Sequence, residues 1–185
     1  MHVFLETERL ILRRLTRDDV DDLVRLDSDP EVMAFIDRGP APSRAEMVDR
    51  VDRFVEDYAR FDGLGRYAAI AKSGGEFLGW MSLRADGSPG VDLGYRLVRF
   101  AWGYGYATEG SRALVAKAFR GYPVDRVFAT TMAVNLRSRA VMERAGLRFV
   151  RVFHEDFADP IPGTEQGEVE YAITRAEWEN ARDEI

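Results

Sequence analysis

Between Val91 and Gly110 the chain changes its hydrophobic period across two glycines, and that change limits the folds open to it. Val91, Leu93, Tyr95 and Leu97 alternate with Asp92, Gly94 and Arg96, the period of two expected of a strand with dissimilar faces. From Ala107 onward, Leu114, Val115, Ala118 and Phe119 recur at helical spacing among good helix formers such as Ala113, Ala116 and Lys117. Gly103 and Gly105 therefore stand just ahead of a helix N-terminus. There, unpaired N–H groups and the positive end of the helix dipole can hold a phosphate without a cationic side chain. The same glycines are also what a strand-to-helix turn needs merely to reach positive φ, so the turn alone leaves both readings open.

Two familiar phosphate loops can be tested against these residues. A P-loop is excluded, because the turn holds no lysine and does not end in Gly-Lys-Ser/Thr. A dinucleotide fingerprint fits better, with Gly103-x-Gly105 after a strand and Asp125 about twenty residues on. It falls short at Thr108, where a third glycine belongs, and at Asp125, which precedes the next strand instead of ending it.

Trp102-Gly103-Tyr104-Gly105-Tyr106-Ala107-Thr108-Glu109 resembles the acetyl-coenzyme A loop of the GNAT superfamily of N-acetyltransferases, with Trp102 in place of the usual Gln or Arg. That replacement is similar to the RimJ/RimL-like branch. Asn135-Leu136-Arg137-Ser138 through Val141-Met142-Glu143 to Gly146 resembles a second motif of the same branch. The resemblance implies an α/β fold, a single GNAT-like domain over residues 1–185. Its mixed, mostly antiparallel sheet has about six to seven strands flanked by helices and contains a splayed parallel pair. It implies acetyl-coenzyme A as cosubstrate, held by Trp102, Gly103, Tyr104, Gly105, Tyr106, Ala107 and Thr108, with Asn135 and Ser138 contributing. The pantetheine arm would pair with backbone at Leu97 and Val98.

The order of elements agrees. Glu8 to Leu15 reads as a first strand, and Thr16 with Asp19 forms a capping box for a helix. Asp29-Pro30 starts a short helix through Ile36, and Ser43 with Glu46 caps a long one carrying Met47, Val51, Phe54 and Tyr58 inward. Arg66 to Lys72 and Glu76 to Arg84 form a meander with the central strand, reached through a turn over Asp86-Gly87-Ser88-Pro89-Gly90. Val127 to Met132 follows a helical crossover and should run parallel to the central strand. Arg148 to Phe153 and Glu168 to Thr174 are the last strands, and Thr174 with Glu177 caps a terminal helix.

Composition narrows the chemistry. Across 185 residues there is no cysteine, which removes thiolate nucleophiles, disulfides and thiolate metal sites, and only two histidines, which disfavours zinc; no metal is expected. No basic region followed by an apolar run opens the chain, and no stretch reaches membrane-spanning length, so a cytoplasmic protein without membrane partners is expected. A net charge of −6 argues against a nucleic-acid partner.

Acetyl transfer to an amine needs a proton sink and a way to stabilise the departing thiolate, because an ordinary alkylammonium has a pKa of ~10.4. Ser138, Asp92, Glu109, His154, Asp156 and Glu170 are the candidates. Ser138 matches the serine that the branch is thought to use as the thiolate's acid, or it is a helix-start serine. Asp92 is a candidate base or a solvated strand residue. Glu109 fits a dipole-compensating residue in a helix's first turn. The acids Asp37, Asp156, Asp159 and Glu165 point to a cationic amine acceptor bound with salt dependence, and the resemblance implies that this is a small molecule or a peptide N-terminus. The enzyme would be a monomer or homodimer. A non-catalytic acyl-coenzyme A sensor or scaffold is the alternative, and a nucleotide-dependent oxidoreductase a weaker one.

Overall fold

The computed structural model describes residues 2–36, 39–85 and 90–183. In chain order the elements are β1 (Val3–Glu6), β2 (Leu10–Arg14), α1 (Val20–Ser28), α2 (Pro30–Met33), α3 (Arg44–Arg60), β3 (Gly65–Ala71), β4 (Phe77–Ala85) and β5 (Gly90–Leu97). After these come α4 (Tyr106–Gly121), β6 (Arg126–Met132), α5 (Leu136–Arg144), β7 (Arg148–Phe153), β8 (Glu168–Thr174) and α6 (Arg175–Asp183). One eight-stranded sheet runs β1-β2-β3-β4-β5-β6-β8-β7. Every neighbouring pair is antiparallel except β5 and β6, whose helical crossover through α4 returns the chain in the same direction.

The eighth strand exceeds the expected number because β1 carries little signal of its own. Its four residues, three half-buried and Glu6 exposed, pair with β2 through a register shift, and its main anchor is non-local: Phe4 stacks on Tyr67 of β3 at 4.0 Å. The expected helix through Ile36 is also shorter. It stops at Met33, and Phe35 and Ile36 are exposed. The capping signals hold throughout. Ser43 and Glu46 form a reciprocal box, Asp29 accepts from the Glu31 N–H, and Thr174 and Glu177 exchange hydrogen bonds at the start of α6. Thr16 and Asp19 also box, though they open a 3₁₀ turn over Arg17–Asp19 before α1. Of the turn expected over Asp86 to Gly90, residues 86–89 lie outside the described residues and Gly90 opens β5.

Strand alternation divides the core in two. Met81 meets Gly110 of α4, where an added Cβ would lie 2.1 Å from the Met81 sulfur, so α4 presses directly on the sheet. Its chain neighbour Trp80 points the other way and packs with Leu23 and Leu26 of α1 and Met47 and Val51 of α3. Leu114, Val115 and Ala118 of α4 join Met142 of α5 and sheet residues such as Leu93 and Val127 in the larger cluster. The parallel pair β5 and β6 thus has one helical layer on each side.

Candidate acetyl-transfer site

β5 and β6 are paired only at Gly90↔Arg126, Val91↔Val127 and Asp92↔Phe128, yet β5 continues to Leu97 and β6 to Met132. Beyond Asp92 the two strands diverge. Their facing edges, no longer paired with each other, border a gap whose wide end meets the glycine turn. Gly103 and Gly105 both have φ of 82°, a region open at little cost only to glycine, and Gly105 is the N-cap of α4. A Cβ at Gly103 would have nothing within 4 Å, so protein packing does not explain the glycine there. The backbone expectation at Leu97 and Val98 narrows. The Leu97 carbonyl accepts from Trp102 Nε1 at 2.8 Å, the Val98 N–H donates to the Leu78 carbonyl, and the Val98 carbonyl accepts from the Ala101 N–H. Successive strand N–H groups point to opposite edges, so with Val98 turned to β4 the Leu97 N–H faces the gap.

The loop is fixed from a distance of a hundred residues. Glu109, in the first turn of α4, accepts from the Thr7 hydroxyl at 2.5 Å, the Arg9 N–H at 2.8 Å and Arg9 Nε at 2.6 Å. Arg9 in turn donates Nη1 to the Tyr104 carbonyl at 2.9 Å and lies over the Tyr106 ring. Burial works to raise the Glu109 carboxyl, but the hydrogen bonds from Thr7 and Arg9 outweigh it and hold it below its ordinary value. Glu109 is therefore a clamp as well as a dipole partner. Arg9 and Arg137, whose guanidinium lies 5.3 Å from the Trp102 ring centroid, bring cations to a turn that contains none. Nothing local in the sequence connects either arginine to the glycines.

Past the end of β6, Asn135 caps α5. Its Oδ1 accepts from the Ser138 N–H at 3.2 Å and its Nδ2 donates to Thr131 at 3.1 Å, so both ends of the amide are engaged in placing Ser138. The Tyr95 hydroxyl, from β5, lies 2.9 Å from Ser138 Oγ and donates to the Ser138 carbonyl at 3.0 Å. Two hydroxyls from opposite banks thus meet across the gap. Burial pushes the Tyr95 phenol up to about 12, the Ser138 hydrogen bond opposing it only in part. Sequence reasoning missed Tyr95 as a site residue because its place in the alternating pattern reads as core.

Asp92 stands where the strands part, on the face opposite Tyr95, with Oδ2 ion-paired to Arg84. Both line a cleft of about 310 Å³ together with Asp57 of α3, Phe61 just after it, and Phe128 and Thr130 of β6. The other acids go elsewhere. Glu170 is buried between Arg126 and Arg151; burial would raise its carboxyl, and the two arginine hydrogen bonds hold it low. His154, Asp156 and Asp159 are exposed, and Glu165 accepts from the Gly163 N–H. None of these borders the cleft, and Asp37 lies outside the described residues. Glu168 on β8, unremarked in the sequence, has its carboxyl raised by burial and by Glu155.

A parallel pair opened into a gap, with a phosphate-ready helix start at its mouth, defines an acyl-coenzyme A-dependent transferase. Residues 9–148 match the acetyltransferase (GNAT) domain family, and the chain belongs to it. It is 34% identical over 183 residues to an FsC-acetyl coenzyme A-N(2)-transacetylase of Aspergillus fumigatus, covering 94% of this chain and 77% of that one. Its fold is similar to that of spermidine N-acetyltransferase from Vibrio cholerae in complex with CoA and spermine, with TM-score 0.79 and 17% identity over 94% of this chain and all of that one. It also resembles RimL, a ribosomal L7/L12 alpha-N-protein acetyltransferase in complex with coenzyme A, with TM-score 0.78 and 21% identity over 94% and 98% of the two chains. The chain is an acetyl-coenzyme A-dependent N-acetyltransferase. Among the described residues no helix is long and apolar enough to cross a membrane, and no cluster of three His, Asp or Glu could hold a metal ion.

Proposed function

We propose that this enzyme moves the acetyl group of acetyl-coenzyme A onto a primary amine by direct attack in the gap between β5 and β6. The observation that carries the reading is the Ser138–Tyr95 hydroxyl pair, which spans that gap on the side of α4 and α5. Pyrophosphate would sit on the N–H groups of Gly103 to Thr108 with Arg9 and Arg137 beside it, and the arm would run along β5 past the Leu97 N–H. The neutral amine attacks the thioester carbonyl, the C–S bond breaks, and Ser138 passes its proton to the leaving sulfur and is reprotonated through Tyr95. Asp92, on the other face of the gap, takes the ammonium proton at Oδ1, the oxygen that Arg84 does not engage.

The 34% relative, named for N(2)-transacetylation of FsC, supports a small-molecule acceptor over a ribosomal protein. Thermal-shift titrations with acetyl-coenzyme A, NAD and ATP, followed by coenzyme A release against a panel of amines, test the whole reading. Stabilisation by acetyl-coenzyme A alone and turnover with at least one amine are expected. Stabilisation without turnover across the panel would make the chain a binder, and stabilisation by NAD would discard the proposal.

A further inference from the structure

Beside the Asp92 cleft, on the same face of the sheet, lies a buried arginine cluster that the transfer chemistry does not use. Register aligns Arg66 of β3 with Ser82 of β4, and Ser82 with Gly94 of β5, so these three share one row across the sheet face under α3. The Arg66 guanidinium is sandwiched, 4.4 Å from the Phe54 ring centroid of α3 and 4.0 Å from that of Trp80. Among the described residues it has no carboxylate partner, and its Nε is buried with no hydrogen-bond acceptor. Ser82 is 1% exposed, and its hydroxyl is also unpartnered. So is the Nε of Arg96, whose Nη1 binds Asp27 at 2.5 Å and whose guanidinium lies over the same Trp80 ring.

Three buried polar atoms without partners in one row and the next are unusual, because each forfeits its water without replacement. Gly94 is fitted closely against this row: a Cβ there would lie 2.7 Å from Ser82 Oγ and 3.4 Å from the Trp80 ring. Charge points the same way. Asp27 is ion-paired to Arg96 and Arg50, and Asp92 to Arg84, so their charges reach Arg66 only from a distance and without an ion pair. Burial, then the proximity of Arg84 and Arg96, lower the Arg66 guanidinium to about 10. Ring stacking offsets part of the cost of burying a cation, and an anion would offset the rest. A chain with a net charge of −6 thus concentrates arginine on the sheet face beside the Asp92 cleft.

We propose that the acceptor carries a carboxylate besides its amine, and that Arg66, with Ser82 Oγ and Arg96 Nε, receives it under α3. The inference rests on the acetyl-transfer reading and gives its acceptor a class, an amine that is also an acid. It departs from the purely cationic acceptor that the exposed acids suggested. A planar guanidinium held between two rings is oriented to give a carboxylate two parallel hydrogen bonds, which a lysine could not reproduce.

The test uses glycine, 4-aminobutyrate and 6-aminohexanoate, each against its own amide, with the wild-type enzyme, Arg66→Lys and Arg66→Gln. Saturable binding by calorimetry in the presence of coenzyme A and initial rates of coenzyme A release are both read. At least one acid should bind and react at least tenfold better than its amide in the wild type. Arg66→Gln should abolish that preference, and Arg66→Lys should keep part of it. All three proteins should still be stabilised by acetyl-coenzyme A, which separates this proposal from the reading beneath it. Acids and amides that behave alike in the wild type, or a preference that survives Arg66→Gln, would overturn the carboxylate site while leaving the acetyltransferase intact.

Discussion

Replacing Gly105 by valine separates the turn's conformational role from its ligand role. Gly105 has φ 82° and ψ 4°, and the position of an added Cβ meets only Arg9 Nη2, at 3.5 Å, an ordinary contact. The fold therefore loses the left-handed backbone penalty and little packing, about 1–2 kcal/mol and toward the upper end for a β-branched residue. For a chain of this size that lowers Tm by about 2–8 °C. The ligand effect is larger. Wild-type enzyme at a hundred times its coenzyme Kd gains about 2.7 kcal/mol. Valine methyls at the N-cap of α4 would stand where the pyrophosphate must approach the N–H groups, so this gain should vanish. Differential scanning fluorimetry with and without acetyl-coenzyme A reads both terms. A Gly105→Val protein that melts a few degrees early yet keeps the wild-type coenzyme shift would refute phosphate binding at this turn.

Ser138→Ala should lower kcat by about 10²-fold with little change in coenzyme affinity, the pattern of an interaction made in the transition state; unchanged turnover would leave Ser138 only its place at the start of α5. With the Tyr95 phenol raised to about 12, the pH–rate profile should show no tyrosine limb near the ordinary value of about 10, and a loss of activity there that Tyr95→Phe removes would contradict the assignment. Glu109→Gln should cost about 1–2 kcal/mol near neutral pH through the Thr7 and Arg9 bonds. Because the folded carboxyl is held low, its contribution is present above the unfolded value of about 4.3 and disappears as pH falls through the folded one. Melting curves of the two proteins should converge in acid, and a constant gap down to pH 2 would show that the clamp is not the carboxylate.

Local chemistry determined the elements and the character of the turn. Capping boxes, the switch of period after Leu97 and the two glycines act within a few residues of themselves, which is why the helix starts at Ser43, Asp29 and Thr174 and the order of strands from β2 onward were legible in the sequence. Boundaries drifted where a local signal met nothing to pack on, as at Phe35 and Ile36. Long-range register decided the rest. Only the pairing of β5 with β6, broken after Asp92 and Phe128, sets where the gap opens. It brings Tyr95 to Ser138 across 43 residues, and the placement of α4 brings Arg9 to Glu109 across 100. The same register stacks Arg66, Ser82 and Gly94 in one row and removes Glu170 from the candidate bases by enclosing it between two arginines. A sequence states which side chains carry charge, but whether a charge is paired depends on partners supplied by other strands, and those are fixed only when the sheet closes its register.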